Sequence, residues 1–85
     1  MIAEKVRNFI VNELHWNPSL GELTDDFPLI ESSAVQSLGL FQLVSFIERE
    51  FQVEVSDEEL LPENFSSINT IVRLVESKNG ETSGG

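Results

Sequence analysis

Eighty-five residues with 40% hydrophobic content suffice for one small domain with a modest core and are too apolar for a disordered acidic tail. Fifteen acids against five bases give a formal charge of -10, which disfavours nucleic acid and anionic membranes, whose phosphates call for Lys and Arg, and favours basic protein surfaces. Cysteine is absent, so there is no disulfide framework or thiolate metal site; nothing reads as a signal peptide or spanning helix, and the expected residence is the cytoplasm.

Residues 2–15 carry Ile2, Val6, Phe9, Ile10 and Leu14 at helical spacing, with Glu4, Lys5, Arg7 and Glu13 off that stripe. Asn17-Pro18 closes this helix, because the residue before proline is pushed out of the α region. From Trp16 to Gln36 no helical or strand period is evident, and Pro18, Gly21, Asp25, Asp26 and Pro28 punctuate the run. A loop of this length in a compact domain is often functional. Leu20, Leu23, Phe27, Leu29 and Ile30 make it too apolar for a free linker, so it is expected to pack over the core.

Residues 37–51 form the clearest helix. Leu38, Phe41, Val44, Ile47 and Phe51 mark one face, widened by Leu40 and Leu43. Val53 and Val55 alternate with Gln52 and Glu54 in a short extended stretch, and Ser56-Asp57-Glu58-Glu59 fits a capping box. Pro62 limits the helix that follows to one or two turns. Ser66 or Ser67 caps a last helix carrying Ile68, Ile71, Val72 and Val75; Asn79-Gly80 is its expected end. The expected division is a domain over 1–78 and a flexible polar tail over 79–85. The fold class is all-α: three principal helices, one short helix and a long first loop, packed as a small bundle. Its core is expected to rest on Phe9, Ile10, Phe41, Val44, Ile47, Ile71 and Val75.

Ser37 is the residue that points to chemistry. It stands at a helix start, after the long loop, with no base-and-acid set to make it a nucleophile. The single histidine, His15, lies beside Trp16 at the end of the first helix, where a structural role is expected. The glycine-flanked nucleophile elbow is missing. Two readings of Ser37 coexist. As an N-cap its oxygen would accept from a free amide, worth about 1 kcal/mol. As a modification site it would place a phosphodiester at the positive end of a helix dipole. Asp25-Asp26 fits a turn better than a cation site, and no calcium loop is present. The Gly84-Gly85 end lacks the β-grasp pattern that a sulfur carrier would need.

The stretch from Leu23-Thr24-Asp25-Asp26-Phe27-Pro28 through Ser37-Leu38-Gly39-Leu40-Phe41-Gln42-Leu43-Val44, continued by Leu61-Pro62-Glu63-Asn64-Phe65, resembles the acyl carrier proteins. The subgroup it is most similar to is the stand-alone acyl, aminoacyl or peptidyl carriers of bacterial biosynthetic clusters, and the resemblance covers about residues 2–77. It implies a four-helix bundle with 4′-phosphopantetheine attached to Ser37, delivered from coenzyme A by a phosphopantetheinyl transferase. It also implies a carrier that catalyses nothing itself. Such a carrier, expected as a monomer, presents thioesters to an acyl- or aminoacyl-activating ligase and to downstream biosynthetic enzymes. The resemblance places Gln36, Leu38, Phe41, Glu48 and Glu54 in the docking surface. Glu48, Glu50, Glu54, Asp57, Glu58, Glu59 and Glu63, against Arg49 alone, read either as a solvated surface or as a face for basic partners. Two positions depart from the family pattern: Gln36 stands where aspartate usually precedes the serine, and Ser33 where a glycine is often found. A second function class remains, an acidic helical interaction module that uses the same bundle without an arm.

Overall fold

The computed structural model describes residues 2–84, with side chains through residue 78. Three α-helices follow in order: α1, Ile2–Glu13; α2, Ser37–Phe51; and α3, Ile68–Gly84. Single 3₁₀ turns lie at Pro18–Leu20, Asp57–Glu59 and Pro62–Asn64. α1 packs against both α2 and α3, and no strand occurs among the described residues. The all-α reading therefore stands.

Apolar periodicity explains the helices, and burial shows which part of each stripe is used. Val6 and Ile10 of α1, Leu43, Val44 and Ile47 of α2, and Ile68, Ile71 and Val75 of α3 are buried together. Leu23, Leu29, Val35 and Phe65 join them from the connecting segments. The long first loop is thus part of the core, as its composition indicates. It is also tied down by polar bonds. Arg7 donates from Nε to the Leu23 carbonyl at 3.2 Å and pairs with the Asp25 carboxylate. The Asn69 amide donates to the Asp25 carbonyl at 2.9 Å, and the Leu29 amide to the Ser66 carbonyl at 2.8 Å. Trp16 meets Phe27 edge to face, and its Nε1 donates to the Gly21 carbonyl at 2.9 Å. These two aromatics anchor the loop.

Four details differ from the sequence reading. α1 ends at Glu13, and His15 takes a left-handed φ of 55° that turns the chain before Asn17-Pro18. The short helix after Ser56 is two separate 3₁₀ turns, because Pro62 carries no amide hydrogen to continue the first of them. α3 runs past Asn79-Gly80 to Gly84; a glycine inside a helix costs about 1 kcal/mol but does not forbid it. The side chains of 79–84, on which the tail expectation bears, lie outside those described. Phe41 is 64% exposed and belongs to no core. Which residues of a wide apolar face are covered depends on where α1 and the loop lie, and they cover Leu43, Val44 and Ile47. Phe9 is half-buried and stacks on Phe46 with ring centroids 4.3 Å apart.

Two local motifs hold the segment between α2 and α3. The Glu59 carboxylate accepts from Ser56 N and Oγ at 3.1 and 3.0 Å and pairs with Lys78. The Lys78 ammonium, then the Ser56 amide, hold the Glu59 carboxyl below its ordinary range. At the start of α3, Ser67 Oγ accepts from the Thr70 amide at 3.4 Å, while Thr70 Oγ1 accepts from the Ser67 amide at 3.2 Å. Ser67 rather than Ser66 is the cap, and it is buried.

Candidate functional site

Ser37 is the first residue of α2, and Gln36 precedes it as N-cap with extended backbone (φ -107°, ψ -180°). Gln36 makes no side-chain cap bond. Its Nε2 instead donates back to the Ser33 carbonyl at 3.4 Å. Ser33 sits at φ 63°, the left-handed region that glycine enters without a Cβ penalty. The departure from glycine noted in the sequence thus falls on a residue with positive φ.

Ser37 is exposed, and its hydroxyl has no hydrogen-bond partner among the described residues. It does not cap the helix. The first intrahelical bond runs from the Leu40 amide to the Gln36 carbonyl at 2.7 Å. The amides of Ser37, Leu38 and Gly39 precede that bond and remain the unsatisfied donors of the helix start. No acidic residue stands in the first turn of α2. An exposed hydroxyl beside free amides, without a neighbouring carboxylate, suits an oxygen that is to bear a phosphodiester.

Two open clefts flank this serine. One, of about 460 Å³, is lined by Ile30, Ser33, Val35, Gln36, Ser37, Leu40, Leu60 and Pro62. The other, of about 420 Å³, lies between the α1 end and the α2 start and includes Glu13, Leu14, His15, Gln36 and Leu38. His15 lines this second cleft, and no hydrogen bond joins it to Ser37 among the described residues. Among the described residues there is no cluster of three or more His, Asp or Glu able to hold a metal, and no helix long and apolar enough to cross a membrane.

Of the residues expected to dock partners, Gln36, Leu38 and Phe41 share the Ser37 end of α2 and are exposed. Glu54 is exposed in the segment after the helix. Glu48 also has a partner inside the fold. It is half-buried, and its Oε2 accepts from the Val55 amide at 2.8 Å, clamping the chain as it leaves α2. The alternation of Val53 and Val55 thus reflects a segment pinned by a carboxylate and not a strand. Sequence reasoning missed this clamp, because a side chain seven residues before an amide leaves no periodic signal.

No protein-family model matches the chain. Curated relatives do. An acyl carrier protein of Solidesulfovibrio magneticus is 31% identical over 80 residues, covering 94% of this chain and 97% of the relative. An acyl carrier protein of Akkermansia muciniphila is 35% identical, covering 93% and 94%. The chain belongs to the acyl carrier protein family. The probable acyl carrier protein PigG of a Serratia species, at 32% identity over 89% of this chain and 86% of the relative, extends the likeness beyond the relatives named simply acyl carrier protein. With the family in hand, the free Ser37 hydroxyl is the feature that distinguishes the α2 start from an ordinary helix cap.

Proposed function

We propose that this acyl carrier protein family member bears 4′-phosphopantetheine on Ser37 and presents acyl or aminoacyl intermediates to separate enzymes. The observation that carries the reading is the Ser37 hydroxyl: exposed, unbonded, and at the amide end of α2. In the transfer, Ser37 Oγ forms the new bond to the β-phosphorus of coenzyme A. The bond from that phosphorus to the bridging oxygen breaks, 3′,5′-adenosine diphosphate leaves, and the hydroxyl proton passes to a base of the transferase. The attached group supplies the thiol that this cysteine-free chain lacks, and that thiol holds cargo as a thioester. The chain's own part is to keep the oxygen accessible on a rigid helix, to offer amides to the phosphodiester, and to display a surface that enzymes recognise. A ligase and downstream biosynthetic enzymes are the partners that follow, with the carrier monomeric and cytoplasmic.

Incubation with coenzyme A and a broad-specificity phosphopantetheinyl transferase, read by intact and peptide mass, tests the assignment. One adduct on Ser37, lost in Ser37→Ala, is expected. An adduct on Ser32, Ser33 or Ser45 would reject the site. Inertness toward several transferases that modify a control carrier would favour the unmodified interaction module.

A further inference from the structure

The acids that follow α2 do not all stand alike. Glu54, Asp57, Glu58 and Glu63 are exposed, whereas Glu59 is half-buried and paired with Lys78 of α3. This pair is more enclosed than the one between Lys5 and Glu50: the side chains of Lys78 and Glu59 are 16% and 31% exposed, against 52% and 38%. Solvent and salt screen such a tie less than one at the surface. The Asp57–Glu59 and Pro62–Asn64 turns share it, because Asn64 Nδ2 donates to the Glu59 carbonyl at 2.8 Å. At its two ends the segment is held by other means, the Glu48 carboxylate at Val55 and the buried ring of Phe65. Between those ends, Glu59 to Lys78 is the one ion pair among the described residues. Leu60, the residue after Glu59, and Pro62 line the cleft of about 460 Å³ that Ser37 also lines.

We propose that Glu59 and Lys78 are positioning residues for the Ser37 site: by fastening the two turns to α3 they set where Leu60 and Pro62 stand, and so the surface that an enzyme meets beside the serine. The proposal rests on the proposed function, since it concerns the same site. Neither residue lines the Ser37 cleft; both act through the turn. The Glu59 carboxylate accepts from Ser56 on one side and from the Lys78 ammonium on the other, so a single group joins the start of the segment to α3. Lys78, then the Ser56 amide, hold its carboxyl below the ordinary range, so it is ionised at neutral pH. Leu60 also packs against the core, but apolar burial has no direction. The ion pair supplies the direction, because it joins one point of the turn to one point of a helix.

The test compares the parent with Glu59→Gln, which keeps an acceptor for Ser56, with Lys78→Met, which keeps an apolar stem, and with Lys78→Arg, which keeps the charge. Glu58→Gln and Lys5→Met change the net charge equally and leave the pair intact. Two readouts are taken: backbone amide exchange in the protein without the arm, and KM and kcat for arm transfer from coenzyme A by a broad-specificity transferase. The Leu60 and Asn64 amides are hydrogen-bonded within the two turns. In Glu59→Gln and Lys78→Met they should exchange about tenfold faster, while the Ile47 and Ile71 amides keep the parent's rates, as local opening requires. KM should rise about fourfold with kcat little changed, the factor expected if the fastened form falls to about a quarter of the population. Lys78→Arg and the two charge controls should match the parent. Unchanged exchange, exchange that quickens equally at all four amides or in the controls, or Lys78→Arg behaving as Lys78→Met overturns the proposal. Faster exchange at Leu60 and Asn64 with an unchanged KM overturns it as well and leaves the carrier reading intact. A parent that accepts no arm, where a control carrier does, removes that reading and the positioning role with it.

Discussion

α2 and α3 begin in opposite ways. At the α3 start, Ser67 and Thr70 exchange bonds between side chain and backbone, Ser67 is buried, and Ile68 enters the core at once. At the α2 start, Gln36 gives no cap, Ser37 Oγ is free, and two of the first three large hydrophobics, Leu38 and Phe41, face solvent. Either start could have been a serine cap, since serine suits both. The difference teaches that the α3 start serves stability, whereas the α2 start leaves its donors, its hydroxyl and its apolar side chains open. A local rule is broken at one end and kept at the other within the same small fold, and the broken end is where the family resemblance places the arm.

The comparison breaks most visibly along α2 itself. Ile47→Ala should cost about 2–5 kcal/mol, because Ile47 is fully buried between the helices. Phe41→Ala should stay within about 0.5 kcal/mol of the parent, as an exposed substitution. Urea melts of the two variants read this directly; an Ile47→Ala protein as stable as the parent would show that the buried stripe is misplaced.

A smaller contrast sharpens the two helix starts. Ser67→Ala should lose about 1 kcal/mol, the usual worth of a serine cap, and leave arm transfer to Ser37 unaltered. Ser37→Ala should melt with the parent, because the hydroxyl it removes has no partner in the fold. If Ser37→Ala instead loses as much stability as Ser67→Ala, the hydroxyl is a cap after all and the contrast dissolves.

The smallest effect is a gain. Gln36→Asp gives the α2 start an acceptor of the preferred kind and should add up to about 1 kcal/mol, less the exposed bond from Gln36 to Ser33. An aspartate cannot donate to that carbonyl, so the loop turn at Ser33 loses a tie while the helix gains one. Thermal melts of the parent, Gln36→Asp and a Gln36→Asp, Ser33→Gly double variant separate the two effects, since glycine needs no help to hold φ near 63°. A Gln36→Asp protein less stable than the parent, restored by Ser33→Gly, would show that the tie outweighs the cap.

Much of this was legible in the chain. Helical spacing alone set the α2 bounds at residues 37 and 51, which are those observed, and it placed Val6, Ile10, Val44, Ile47, Ile71 and Val75 on inward stripes. The apolar loop residues announced a loop that packs, and Leu23 and Leu29 are buried. Ser37 and its position after that loop carried the family resemblance that the relatives then established. These signals are legible because each is local or periodic. A helix repeats every 3.6 residues, and proline and glycine act on their immediate neighbours. Contacts between distant segments have no such signature. Only the packed chain decides that α1 and the loop cover Val44 and leave Phe41 in solvent. It also decides that Glu48 turns to the Val55 amide, that Phe65 closes the core, and that Ser67 caps its helix while Ser37 does not.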